Sequence, residues 1–104
     1  MKNIKCADES FNLWWLLDQT RHLLFRARQK ELDGYNISVR QAAVLFVVEA
    51  TGEQATPVEI SRRLLRRHHT ITGILSRMEK EGLVRKTKDL ERKNLIRVSL
   101  TEKG

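Results

Sequence analysis

The sequence has 104 residues, enough for one compact core and too few for two independent domains, so we expect a single domain over residues 1–104. Hydrophobic residues make up 40% of the chain and charged residues 32%, which excludes wholesale disorder. No apolar run approaches the ~20 residues of a membrane span, and residues 1–8 lack the apolar stretch and cleavage site of a secretory signal.

Charge and cysteine content narrow the class of partner and the compartment. The formal net charge of +7 lies wholly in the second half: residues 1–54 hold seven basic and seven acidic side chains, and residues 55–104 hold thirteen and six. Such a one-sided excess indicates a nucleic-acid phosphate surface ahead of a membrane. Cys6 is the sole cysteine, so it has no partner for an internal disulfide or a structural zinc site. These features predict a cytoplasmic protein with no metal or other cofactor.

The first predicted element is a long amphipathic helix over residues 10–33. Leucine and aromatic side chains recur along it at helical spacing, and their apolar arc is too broad for one helix lying on a small domain. The arc packs either in the core of the same chain or against a second subunit, and the sequence leaves both interpretations open. Gly34 is expected to end the helix, with Tyr35 and Asn36 as a connector.

Capping signals predict the starts of two further helices. Residues 38–41 form a capping box, and the helix that follows runs to Gly52 with so many apolar residues that it should be the buried centre of the domain. Thr56 and Pro57 give a stronger start signal, because proline at the first helical position loses only a donor that is free there anyway. The inner face of this short third helix is predicted to consist of Ile60, Leu64 and Leu65.

The fourth helix is predicted from Thr70 to Glu81, and Gly82 ends it. Its inner face is predicted to consist of Ile71, Ile74, Leu75 and Met78. A period of two then replaces the helical period, so residues 83–88 and 96–101 are predicted to pair as strands across the polar loop 89–94. The predicted fold is mainly α-helical with a small antiparallel β-hairpin, a winged helix-turn-helix.

Two short helices joined by a tight turn, the second with a small polar outer face, suit the major groove of double-stranded DNA. The residues predicted to contact DNA from this recognition helix are His69, Thr70, Thr72, Gly73, Ser76 and Arg77. Gly73 lowers helix stability by roughly 1 kcal/mol relative to alanine. A second factor therefore favours it, either close approach of DNA or a close helix contact within the protein.

The predicted hairpin carries a ribbon of basic side chains, which we interpret as a wing that contacts DNA beside the recognition helix. The ribbon consists of Arg85, Lys86, Lys88, Arg92, Lys93 and Arg97. The contacts predicted from the wing and its flanks are Arg66, Arg67, Lys88, Arg92, Lys93 and Asn94. For any single one of them, a solvated polar side chain is an equal alternative.

The sequence gives little support for metal binding or for enzymatic catalysis. His68 and His69 are adjacent, so on a helix they point about 100° apart, and no carboxylate pattern supports a metal site. No nucleophile has a base at useful spacing and no glycine-rich phosphate loop is present, which argues against an enzyme. Two alternatives stay open: a winged-helix module that docks on other proteins, and binding to RNA.

Three segments carry a resemblance to a known family. They are residues 56–60, then Leu75, Met78, Glu79 and residues 82–84, and finally residues 100–104. Over nearly its whole length the chain resembles the MarR family. The resemblance implies a winged-helix homodimer that binds a pseudo-palindromic operator in double-stranded DNA, usually as a repressor released by a small ligand or an oxidant.

The resemblance also implies an effector site between the dimerisation helices and the DNA-binding lobe. Trp14, Trp15 and Tyr35 are the candidates for it, although aromatic residues at helical spacing are more often core. An N-terminal cysteine senses oxidants in some members, so Cys6 is either such a sensor or an ordinary thiol. The family pattern continues past the position of Gly104 with one or two helices that pair across the dimer, and the present sequence does not include them.

The wing departs from the family pattern at two positions. Family members usually carry an Asp and an Arg where this sequence has Arg92 and Asn94, so Arg92 or Lys93 is expected to make the wing-tip contact. Replacing Arg92 and Lys93 together should weaken binding to all DNA, whereas replacing Arg77 should reduce discrimination between sequences.

Overall fold

The computed structural model describes residues 9–89 and 95–104. In chain order the elements are α1 (Glu9–Leu32), a 3₁₀ turn (Asp33–Tyr35), α2 (Val39–Thr51), a second 3₁₀ turn (Gly52–Gln54), α3 (Pro57–Leu64), α4 (His68–Lys80), β1 (Val84–Asp89) and β2 (Leu95–Leu100). The prediction of a mainly α-helical fold with one antiparallel hairpin is confirmed. The chain divides into two compact units, the first ending at Val39 and the second running from Arg40 to Gly104.

The first unit consists of α1 and the connector that follows it. No residue of α1 is buried. The large apolar side chains exposed along it are Leu13, Trp14, Trp15, Leu16, Leu17, Leu23, Leu24 and Phe25. Within residues 9–89 and 95–104, no helix combines the length and the hydrophobicity that crossing a membrane requires.

The connector after α1 is organised by a glutamine. The Gln29 side-chain amide donates to the Ile37 carbonyl at 3.2 Å, and its oxygen accepts from the Val39 backbone N–H at 3.0 Å. The helix ends close to Gly34 as predicted, but the left-handed residue of the connector is Asn36, with a φ of 60°. Asparagine tolerates this conformation because its short polar side chain bonds locally, so the glycine is not the turning point.

The core of the second unit is built from one face each of α2, α3 and α4 together with the hairpin. Its largest fully buried side chains are Val44, Ile60, Ile71, Leu75, Met78 and Val84. Three of the four residues predicted for the inner face of the fourth helix are among them, and Ile74 is half-buried. The periodicity of this helix therefore predicted its orientation.

Two residues predicted to be buried are exposed instead. Phe46 is 72% exposed, because at about 100° per residue it lies nearly opposite Val44 around α2. Leu65 is 89% exposed, because α3 ends before it and it adopts a left-handed conformation with a φ of 54°. The backbone turns toward α4 at this position, and the Leu65 side chain consequently leaves the inner face of the helix.

The predicted helix boundaries largely hold. Thr56 Oγ1 accepts a hydrogen bond from the Glu59 backbone N–H at 3.2 Å, and proline follows the cap, so α3 begins where predicted. Gly52 and Gly82 follow α2 and α4 with φ values of 67° and 78°, a conformation that costs glycine little. α4 begins at His68 rather than at Thr70, so both adjacent histidines belong to its first turn.

The hairpin lies against the helical part of the second unit. β1 and β2 pair antiparallel from Val84 opposite Leu100 to Asp89 opposite Leu95, as the alternating pattern predicts. The Val98 backbone N–H also donates to the Ala55 carbonyl at 2.9 Å, which joins β2 to the segment just before α3. The loop 90–94 lies outside the described residues.

Candidate nucleic-acid interface

α4 presents a small polar face on the side away from the core. Ile71, Leu75 and Met78 are fully buried, so residues about 180° around the helix point outward. The six residues predicted to contact DNA all lie on this outer side or at its edges: His69, Gly73, Ser76 and Arg77 are exposed, and Thr70 and Thr72 are half-buried.

Gly73 lies in the middle of this outer face. Apart from its own helix, no described atom is within 4 Å of a Cβ built on it. Its φ is not positive, so the backbone needs no glycine here either. A close contact within the protein, one of the two explanations for this residue, is therefore not seen in the described part of the chain.

Two hydroxyl groups on the outer face already have defined partners. Thr72 Oγ1 donates to the His69 carbonyl at 2.9 Å, and Ser76 Oγ accepts from Lys86 Nζ at 3.0 Å. The Lys86 backbone N–H in turn donates to Glu79 Oε2 at 3.2 Å. The hairpin and α4 are thus joined through Lys86, which the sequence reasoning had assigned only to the basic ribbon of the wing.

The start of α4 concentrates positive charge. Arg67 is the N-cap residue, and its side chain caps no backbone donor, so the first N–H groups of the helix lack a side-chain acceptor. Arg66 and Arg67 are exposed, and neither forms an ion pair with a described acidic residue. The positive end of the helix dipole and two available guanidinium groups suit a phosphate group here.

The two arginines in the last turn of α3 are already engaged. Glu59 accepts hydrogen bonds from Arg62 Nε at 3.2 Å, from Arg62 Nη2 at 2.6 Å and from Arg63 Nε at 2.9 Å. These hydrogen bonds lower the pKa of Glu59 to about 2 and raise the pKa of Arg62. The spacing of three and four residues was a readable signal for these pairs in the sequence.

Arg97, one of the basic residues of the predicted ribbon, is engaged within the protein. Its Nε and Nη2 donate to Asp89 Oδ2 at 3.1 and 3.0 Å, and its Nη1 donates to the Glu53 carbonyl. The side chain is 32% exposed and ties β2 to β1 and to the turn after α2. The reason is that the hairpin register brings Asp89 to β1, whereas the sequence placed this residue in the loop.

Other predicted basic contacts differ in how far the structure describes them. Lys88 and Arg85 are exposed on β1, and Arg77 is exposed on α4 while its Nε lies 3.6 Å from Glu81 Oε1. The remaining predicted wing residues, Arg92, Lys93 and Asn94, lie outside the described residues, as does Cys6. The wing-tip contacts therefore stay predictions.

The residues predicted for an effector site belong to the first unit. Trp14, Trp15 and Tyr35 are 59%, 49% and 77% exposed. A cavity of about 620 Å³ exists in the second unit, between the end of α2, the turn after it and the hairpin. None of the three aromatic residues lines it, so their role as an effector site stays a prediction.

A polar outward helix, a basic segment at its start and a hairpin bonded to its side define a winged helix-turn-helix DNA-binding domain. The sequence model described as "MarR family" matches residues 35–103, and the chain belongs to this family. The prediction that the chain belongs to this family is therefore confirmed, and the relatives described below are transcriptional regulators. Comparison with curated proteins gave no match.

Solved structures of MarR-type regulators are similar to this chain. The organohalide-sensing regulator RdhR-CbdbA1625 bound to 2,4-dichlorophenol is 36% identical, with a TM-score of 0.77; the match covers 99% of this chain and 62% of that chain. Reduced AbfR bound to DNA is 25% identical, with a TM-score of 0.81 and coverages of 91% and 68%. S. aureus MepR in a DNA complex is 20% identical, with a TM-score of 0.82 and coverages of 92% and 69%, a likeness of fold.

Proposed function

We propose that the chain acts as a homodimeric repressor on a pseudo-palindromic operator, with α4 in the major groove and the wing on the flanking backbone or minor groove. The outer face of α4 carries this proposal. From His69 to Ser76 its outward side chains are small or polar, and Arg66 and Arg67 lie exposed just before it. A groove-reading helix needs close approach and hydrogen-bonding groups, and backbone contacts need cations.

The roles of individual residues follow from their positions. The residues proposed to face base edges are His69, Thr70, Thr72, Gly73, Ser76 and Arg77. The residues proposed to contact the sugar-phosphate backbone are Arg66, Arg67 and Lys88, with Arg92, Lys93 and Asn94 completing the wing. A protein-docking module would need a large apolar anchor on this face, and the outer side of α4 has none.

The homodimer is proposed from the surface of α1. The helix has 24 residues and buries none, and eight of its leucine and aromatic residues are between 40% and 66% exposed. Exposed apolar area of this size favours association. A second copy of the same helix is the partner we propose, because a two-fold dimer presents two recognition helices to two half-sites of inverted sequence.

Selection from a random duplex library at two salt concentrations, with the mass of the complex determined, tests the proposal. We expect an enriched inverted repeat, bound by two chains and weakened steeply by salt. A folded chain that binds no duplex at low salt would refute DNA recognition. For the dimer, Leu24→Glu should reduce the mass of the free protein to that of one chain, whereas His22→Glu, on the opposite side of α1, should not.

We also propose that a small aromatic molecule acts as the effector near Trp14, Trp15 and Tyr35. The two tryptophans are the only ones in the chain, so their fluorescence reports on this region alone. Because the relative at 36% identity was solved with 2,4-dichlorophenol, this compound is the first probe. We expect saturable quenching together with release of the operator, and quenching without release would count against an effector role.

A further inference from the structure

Thr72 and Ser76 lie four residues apart on α4, so their Cα atoms are about 6 Å apart along the helix axis, on neighbouring positions of the helix surface. In solution a hydroxyl group both donates and accepts, and either residue type contacts any base. In this structure each hydroxyl has one partner, and the chemistry of that partner allows only one direction for the hydrogen bond.

The direction is opposite at the two residues. The partner of Thr72 Oγ1, at 2.9 Å, is the His69 carbonyl, which only accepts, so the threonine proton is committed and its oxygen remains as an acceptor. The partner of Ser76 Oγ, at 3.0 Å, is the Lys86 ammonium group, which only donates, so it occupies one lone pair of the serine oxygen, and its positive charge favours the hydroxyl as a donor of its remaining proton. No acceptor for the Ser76 proton is recorded among the described residues.

We propose that α4 reads the major groove with fixed polarity: Thr72 accepts from an exocyclic amino group, adenine N6 or cytosine N4, and Ser76 donates to a purine N7, guanine O6 or thymine O4. The proposal rests on the proposed function and adds the base chemistry that each hydroxyl recognises. Each base pair presents a different arrangement of hydrogen-bond donors and acceptors in the major groove. A hydroxyl group that only donates or only accepts therefore favours some base pairs over others.

Lys86 is a positioning residue in this scheme. Its backbone N–H is held by Glu79 Oε2 at 3.2 Å, and both Glu79 and Ser76 belong to α4. The first bond fixes the Lys86 backbone against α4, and from there the ammonium group reaches the Ser76 oxygen. Without the ammonium group, the Ser76 oxygen becomes free to accept from a base, and the preference for an acceptor atom on the DNA should relax.

Base analogues in the selected operator test the two polarities. Purine replaces adenine and 2-pyrimidinone replaces cytosine to remove amino groups, and 7-deaza purines remove N7. For the wild type we expect each contacted base to cost about five-fold in affinity when its group is removed. The amino-group penalty should disappear in Thr72→Val and persist in Thr72→Ser, and the N7 penalty should disappear in Ser76→Ala.

The lysine tests the origin of the serine polarity. Lys86→Met should reduce the preference for particular bases at the base pair that Ser76 contacts. The preference at the base pair that Thr72 contacts should remain unchanged. Lys88→Met is the control for charge, because it removes the same charge from the same strand: as a proposed backbone contact, Lys88 should contribute equally to binding of all duplexes, so this variant should weaken binding without changing either base preference. If both variants alter base preference equally, or if the analogue penalties have the reverse polarity, the inference is wrong. If no operator is selected at all, the proposed function itself fails.

Discussion

Replacing Gly73 with alanine separates the stability of the protein from its affinity for DNA. Gly73 lies within α4 without a positive φ, and the new methyl group would meet no described atom within 4 Å outside its own helix. Alanine is favoured over glycine in a helix interior by about 1 kcal/mol. Nothing in the described structure opposes that gain, so the free energy of unfolding should rise by about this amount.

The same methyl group should weaken DNA binding. It stands on the outer face of α4, between the positions of His69 and Ser76, where we propose that base edges approach. Inserting a methyl group into a packed contact costs typically about 1–3 kcal/mol, which corresponds to a loss of roughly 5- to 150-fold in affinity. A loss of this size combined with a more stable protein could not be attributed to unfolding.

Thermal denaturation and fluorescence anisotropy on the selected operator measure the two effects. An increase of 1 kcal/mol raises the melting temperature of a domain of this size by about 4–8 °C. We expect Gly73→Ala to melt higher and to bind the operator more weakly. A variant that melts higher and binds the operator as well as the wild type would show that DNA does not approach this position, and the placement of α4 in the groove would be wrong.

Three further changes test the charges around α4. Replacing Arg66 and Arg67 together with alanine should weaken binding to all duplexes and reduce the slope of log affinity against log salt by about 1.8 per chain, measured by salt titration. Arg77→Ala should change the ranking of operator variants more than the affinity for random DNA, measured by competition. Glu59→Gln should lower the melting temperature at pH 7 and not at pH 2. The folded protein lowers the pKa of Glu59 from its ordinary value of 4.5 to about 2, so the carboxylate stabilises the fold above pH 4.5, and this stabilisation is lost as the pH falls toward 2. An equal decrease in melting temperature at both pH values would contradict the ion pairs with Arg62 and Arg63.

The sequence predicted those elements whose signals are local. The cap at Thr56 and the apolar spacing of Ile71, Leu75 and Met78 depend on residues three or four apart, so the pattern alone placed α3 and oriented α4. For the same reason the outer face of α4 followed once the inner face was known. The alternation in β2 likewise predicted its pairing with β1.

The sequence failed where a contact joins distant residues or where the backbone leaves its regular path. Leu65 fits the helical spacing of α3, but a left-handed backbone at that residue turns its side chain into solvent. The charge of Arg97 placed it in the basic ribbon of the hairpin, whereas its pairing with Asp89 depends on the strand register and is not visible in the sequence. The hydrogen bond from Lys86 to Ser76 joins two residues that are ten positions apart, one on β1 and one on α4, and no periodic pattern in the sequence predicts it.

These pairings change what the formal charge of the second half means for DNA binding. Arg62 and Arg63 share the single carboxylate of Glu59, and Arg97 is paired with Asp89, so three of the basic side chains in that half are already engaged by two acidic ones within the protein. A counterion is released only when a cation displaces it from a phosphate, so the salt dependence of binding follows the cations that are available rather than the net charge. The described basic side chains best placed for this are those at the start of α4 and on β1. It follows that an alanine substitution of Arg97 should lower stability while leaving the salt slope unchanged, in contrast to the substitution of Arg66 and Arg67, and a reduced slope for the Arg97 variant would contradict this division of the charges.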